Sequence, residues 1–158
     1  MKLFVFSLFY ICKKKLIRFT HDNFLMFPET DLAHWLTTIA SLKGYTVDEL
    51  EYNFVDSDTL FTFNKEYLNH DTDTDIITFN YSESKSIKAE VYISCDALKN
   101  NARIHSETVE RECLRLLSHA LLHCLGYNDE TVDEKERMRL KEDDCISLFH
   151  VKPVSYTH

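Results

Sequence analysis

Ser118-His-Ala-Leu-Leu-His-Cys-Leu-Gly-Tyr-Asn-Asp129 carries the end of a strongly apolar segment into a glycine-marked turn. From near Ser106 to Thr108 as far as Leu125, the residues Cys113, Leu116, Leu117, Ala120, Leu121 and Cys124 form an apolar stripe at helical spacing, and Leu114, Leu122 and Leu125 carry that character around the remaining sides. A helix apolar nearly all round is buried at the centre of a domain, so the other elements must pack around it. His119 and His123, four apart, fall on one side of this helix at the border of the stripe, in a row with Arg111 and Arg115. Gly126 can take the left-handed conformation that ends a helix, a bend that swings Asn128 and Asp129 back towards the two imidazoles. Two histidines and a returning carboxylate make three ligands. Three protein ligands with a fourth position left to water is the pattern of a catalytic zinc.

Each of these residues also has an ordinary use. A histidine on a buried helix is commonly a core residue with a satisfied hydrogen bond. An aspartate after a helix end is commonly a turn residue or the cap of the next helix. Arg111 and Arg115 are equally readable as surface or ion-pair residues; if their row lines a cleft, two guanidiniums approach the metal.

Working outward, Leu16 to Thr20 reads as a short strand. Pro28 stands at the start of a helix in which Leu32, Trp35, Leu36 and Ile39 share a face until Gly44 stops it. Glu51 to Asp56 alternates as a second strand, and Ser57 is a candidate cap for a helix carrying Leu60, Phe63 and Tyr67. Asp75 to Asn80 and Ile87 to Ser94 are β-branched and aromatic, as strands three and four. Asp96 opens a short helix to about Arg103, ahead of the central one. Thr131 and Glu134 have the spacing of a capping box at the head of a last helix whose mixed charges read as a solvated face. The order predicts an α+β single domain, a small mixed four-stranded sheet backed by helices with a central buried metal-bearing helix.

Composition narrows the class. With 158 residues, 44% hydrophobic and 28% charged, the chain is long enough for one domain with a substantial core. Its five cysteines are scattered without a Cys-x-x-Cys, which argues against a disulfide framework or a thiolate zinc site and fits a reducing cytosol. Cys124, one step from His123, points about 100° away and is expected in the core. The net charge of -8 disfavours non-specific attraction to nucleic acid, so an RNA partner has to meet a local cationic site. Residues 1–15 begin like a signal peptide, but the apolar run is too short to span a bilayer and Lys13 to Lys15 occupy the place of a cleavage site. They are expected to be an extension outside the core, a membrane-targeting role being the alternative.

The sequence resembles the YbeY-type endoribonucleases, also called rRNA maturation factors. Their hallmark, His-Gly-x-Leu-His-Leu-x-Gly-Tyr-Asp-His, is similar to His119-Ala-Leu-Leu-His-Cys-Leu-Gly-Tyr-Asn-Asp129, and their Thr-Asp-Val-Leu-Ser-Phe to Thr74-Asp-Ile-Ile-Thr-Phe79. Asn64 and Tyr67 match the Asn-x-x-Tyr that precedes it, and Ala89-Glu-Val-Tyr-Ile-Ser94 resembles a family strand. The motifs keep their order from about Leu16 to Phe149. There are three departures: Ala120 replaces a glycine; Asp129 replaces the third metal-binding histidine and makes the site more anionic; Leu68 replaces an arginine thought to steady phosphate, a role for which Lys65, His70 or Arg115 would have to substitute.

The resemblance implies one Zn2+ per chain on His119, His123 and Asp129, with residues 16–158 as the metal-dependent hydrolase domain. It implies single-strand endoribonuclease activity in rRNA maturation and ribosome biogenesis in the cytoplasm, with rRNA precursors and ribosomal particles as partners and no membrane. A rival reading is a non-catalytic ribosome-assembly factor whose metal stabilises the fold. Peptide hydrolysis is disfavoured, because Ala120 stands where His-Glu-x-x-His metalloproteases carry their general base.

Overall fold

The computed structural model describes residues 16–68 and 74–150; the expected extension over 1–15 and the candidate His70 lie outside these. Four strands form one sheet in the order β1 (Ile17–Thr20), β2 (Thr46–Val55), β4 (Ser86–Ser94), β3 (Ile76–Asn80). β1 and β4 run parallel to β2, while β3 pairs antiparallel with β4 and forms the edge opposite β1. Five helices complete the described chain: α1 (Glu29–Leu42), α2 (Ser57–Leu68), α3 (Cys95–Ile104), α4 (Val109–Cys124) and α5 (Val132–His150). The α+β class, the mixed four-stranded sheet and the central buried helix are as the patterning predicts.

α4 is central because its sequence leaves it no wet face long enough to do otherwise. Ten of its residues, from Glu112 to Cys124, are buried, and the side chains of α1, β2, β4 and α5 close around them in one apolar cluster. Tyr52 of the inner strand β2 is fully buried, and its hydroxyl donates to the Leu117 carbonyl at 2.8 Å, fixing the helix against the sheet. Burial pushes the Tyr52 phenol well above its ordinary pKa, so it acts only as a neutral donor here. Tyr52→Phe is expected to cost about 1 kcal/mol, read as a lower urea midpoint with an unchanged slope. Trp35 ties α1 to α5, its indole N–H donating to the Cys145 carbonyl at 2.7 Å.

Local chemistry corrects several boundaries. β2 begins at Thr46 rather than Glu51, because Thr46 and Val47 pair with Ser86 and Ile87 and Val47 is buried, a tertiary constraint that alternation from Glu51 onward does not reveal. Asp56, not Ser57, caps α2: its carboxylate accepts from the Thr59 N–H at 2.7 Å, and hydrogen bonding to the Thr59 side chain and backbone lowers its pKa. Ser57 instead hydrogen-bonds Ser94 at 2.9 Å and donates to Asp96 at 3.3 Å. Likewise Ser94 rather than Asp96 starts α3, accepting from the Ala97 N–H at 3.1 Å. The capping box is formed as expected: Thr131 accepts from the Glu134 N–H at 3.1 Å, and Glu134 accepts from the Thr131 N–H at 3.3 Å. The rest of α5 departs from its expected solvated character, since Met138, Glu142, Cys145 and Ile146 are buried against the domain.

Candidate metal centre

The end of α4 builds the site. The Gly126 N–H donates to the His123 carbonyl at 3.0 Å and the Tyr127 N–H to the Leu122 carbonyl at 3.0 Å, the paired bonds of a Schellman ending. Gly126 has φ +100, a conformation strained for any residue with a Cβ. This reversal returns the chain alongside the last two turns of the helix, and Asp129 arrives opposite the row of histidines.

Three atoms meet there. His119 Nε2 lies 3.1 Å from His123 Nε2, and Asp129 Oδ2 lies 3.4 Å from the first and 3.5 Å from the second. Atoms bearing lone pairs repel at such separations unless a proton or a cation lies between them. A tetrahedral ion with bonds of about 2.0–2.2 Å has ligand-to-ligand edges of about 3.3–3.6 Å. The triangle matches those edges to within a few tenths of an ångström, so the His119, His123 and Asp129 group could hold a metal ion. Two imidazoles and one carboxylate suit zinc and also iron or nickel.

The triangle opens onto a cleft of about 480 Å³ lined by Thr74, Asp75, Ile76, Thr78, Asn80 and the three converging residues. Ile76, Thr78 and Asn80 alternate along the edge strand β3 and so share its face towards α4. The side chain of Cys124 is buried away from this cleft, and burial pushes its thiol up to about 11, as expected of a core residue rather than a ligand.

The candidate cations are placed differently. Lys65 is exposed in the last turn of α2 and is not among the cleft-lining residues. Leu68, at the family's arginine position, is exposed on the same helix. Arg111 pairs with Asp143 at 3.1 Å and Glu107 at 3.6 Å. Arg115 makes two 2.7 Å bonds to Glu112 and approaches Glu142 at 3.5 Å and Asp75 at 3.8 Å. Burial opposes its charge, but the bonds to Glu112, with Glu142 and Asp75 close by, outweigh that and raise its pKa above the ordinary arginine value. The row running from Arg111 to His123 is therefore an ion-pair seam at its start and, at its end, a histidine pair that with Asp129 could hold a metal ion.

One participant escaped the sequence reading. Glu142 of α5 lies 2.5 Å from His119 Nδ1, the ring nitrogen facing away from the triangle. It is 3% exposed. An acid in a mixed-charge helix carries no local signal of this; only its i, i+4 relation to Met138, which is also buried, placed it on the inward face.

Comparison with known proteins follows the same outline. The family described as Endoribonuclease YbeY matches residues 17–150. A Cytophaga hutchinsonii protein named Endoribonuclease YbeY is 45% identical over 119 residues, 75% of this chain and 83% of its own. A Flavobacterium johnsoniae protein of the same name is 36% identical over 138 residues, 87% of this chain and 99% of its own. A solution structure of a Thermotoga maritima protein superposes with a TM-score of 0.56 at 22% identity, over 84% of this chain and 88% of that one, a likeness of fold.

Proposed function

The chain belongs to the YbeY endoribonuclease family, and on that premise we propose that it is a zinc-dependent endoribonuclease cleaving single-stranded RNA during rRNA maturation. Its substrates are rRNA precursors in ribosomal particles, its place of action is the cytoplasm, and residues 16–158 make up the hydrolase domain, with 1–15 an extension outside the core. Among the described residues no helix is long and apolar enough to cross a membrane.

The observation that carries the proposal is the convergence of His119, His123 and Asp129 on one point at the wall of an open cleft. A divalent cation held there supplies Lewis acidity towards a phosphoryl oxygen and lowers the pKa of a coordinated water. The chain does the rest. His119 and His123 bring two neutral donors, and Asp129 offsets one unit of the cation's charge. The Thr78 hydroxyl and the Asn80 amide, on the cleft side of β3, offer hydrogen bonds to ribose hydroxyls and phosphate oxygens. Asp75 and Asp129 make the cleft anionic without a cation, so phosphate approach depends on metal loading. Of the cations proposed to steady charge on the phosphate, Arg115 is engaged by carboxylates, which leaves Lys65 and His70 as the candidates for that role.

Incubation with structured rRNA fragments tests the reading: cleavage is expected in zinc, is lost on chelation, and returns when zinc is restored. Cleavage indifferent to chelation contradicts it. Asp129→His, which restores the ligand usual in the family, is expected to retain zinc binding, whereas Asp129→Ala removes an inner ligand and is expected to weaken it by more than about 100-fold, measured by competition with a chelating dye.

A further inference from the structure

We propose that Glu142 is a positioning residue for the metal centre, acting through His119 and itself set in place by Arg115. The inference rests on the metal-centre reading above and goes beyond it, because Glu142 lies on a different helix and reaches the cleft only through His119. A carboxylate accepts hydrogen bonds and does not donate them, so its contact with His119 Nδ1 requires the proton on that nitrogen. Nε2 is then left with its lone pair, aimed at His123 Nε2 and Asp129 Oδ2. An imidazole free to choose carries its proton on either nitrogen and rotates about χ2; this one is held in one tautomer and one orientation.

The Glu142 carboxylate is fixed in turn. Its second oxygen, Oε1, lies 3.5 Å from Arg115 Nη1, and the other side of that guanidinium is gripped in two places by Glu112, which is 4% exposed. Asn101 donates to Glu112 at 3.2 Å and to Asp75 at 2.9 Å, and Asp75 lies on the cleft wall. A single polar network thus joins α3, the start of β3, α4 and α5 behind the metal centre. Of the two histidines, His119 is the one whose outer nitrogen meets a carboxylate among the described residues.

Zinc binding without RNA tests the assignment. Glu142→Gln keeps the shape and an acceptor oxygen but removes the charge, and the zinc dissociation constant is expected to rise about 10- to 100-fold, with the melting temperature of the metal-free protein little changed. Glu142→Asp, which keeps the charge at a longer reach, is expected to fall between Gln and wild type. A zinc affinity of Glu142→Gln within twofold of wild type overturns the inference. If the variant does not fold, nitrogen-resolved NMR of the zinc-loaded wild type decides: the proton of His119 is expected on Nδ1 and the metal on Nε2, and coordination through Nδ1 overturns it. Failure of the wild type to bind zinc more tightly than His123→Ala removes the metal centre and this inference together. Normal wild-type binding with an unaffected Glu142→Gln removes only the inference.

Discussion

His123→Ala is expected to abolish RNA cleavage and stoichiometric zinc binding while leaving the fold intact. The imidazole is one corner of the triangle it forms with His119 and Asp129, and its loss leaves one nitrogen and one carboxylate, too few to fix an ion. Outer-shell partners of metal sites typically cost 10- to 100-fold when removed, so the loss of an inner ligand should exceed about 100-fold in metal affinity, with cleavage falling in parallel. Stability should barely respond. His123 sits at the helix end with its side chain 30% exposed, and its removal is expected to cost the metal-free protein no more than about 1 kcal/mol. The same variant separates the two functional readings. For a nuclease, cleavage disappears while metal-free melting stays put. For an assembly factor with a fold-stabilising ion, wild type and variant alike show no zinc-dependent cleavage, and wild-type protein loses only melting temperature when stripped of metal.

Arg115→Met is expected to act in the opposite way, on stability first. The guanidinium neutralises Glu112 and Glu142, which are 4% and 3% exposed. Removing it leaves two buried carboxylates without the guanidinium they share. Breaking one side of a buried ion pair typically costs about 3–5 kcal/mol. With Arg115 itself partly exposed, about 3 kcal/mol is the expected loss, read by urea unfolding of metal-free protein. Adding Glu112→Gln to Arg115→Met should recover part of that loss, because it removes one of the stranded charges. A catalytic cation would give the reverse: near-normal stability with cleavage lost. Equal stability of Arg115→Met and wild type would return Arg115 to the list of phosphate-binding candidates.

How far the sequence carried the reading depended on how local each interaction is. The His119–His123 pair, Gly126 and Asp129 belong to one helix end, where backbone geometry alone relates them, and the triangle formed as spacing and turn chemistry predict. The central place of α4 was equally legible, since its apolar residues cover every side except the row from Arg111 to His123. What sequence could not show was contact between distant segments. Glu142 lies 23 residues beyond His119, in a helix whose charge mixture reads as wet, and its burial is decided by how α5 packs on α4. The partners of Arg115 come from three elements, so its choice between a phosphate and a set of carboxylates is a tertiary outcome. The early start of β2 has the same origin, because Val47 pairs with Ile87 across the sheet. At α2 and α3 the cap was misplaced by one or two residues, since Asp56, Ser57, Ser94 and Asp96 all have capping chemistry and only the backbone distinguishes them.

The most direct test is X-ray absorption at the zinc edge on protein loaded with one equivalent of zinc, paired with a crystal structure of the same complex. Two imidazole nitrogens and a carboxylate oxygen at about 2.0–2.2 Å from the ion are expected, belonging to His119, His123 and Asp129, with the remaining position turned to the cleft beside Thr78 and Asn80. Zinc bound elsewhere, or Asp129 turned to solvent while the two rings bond backbone carbonyls, would contradict the account.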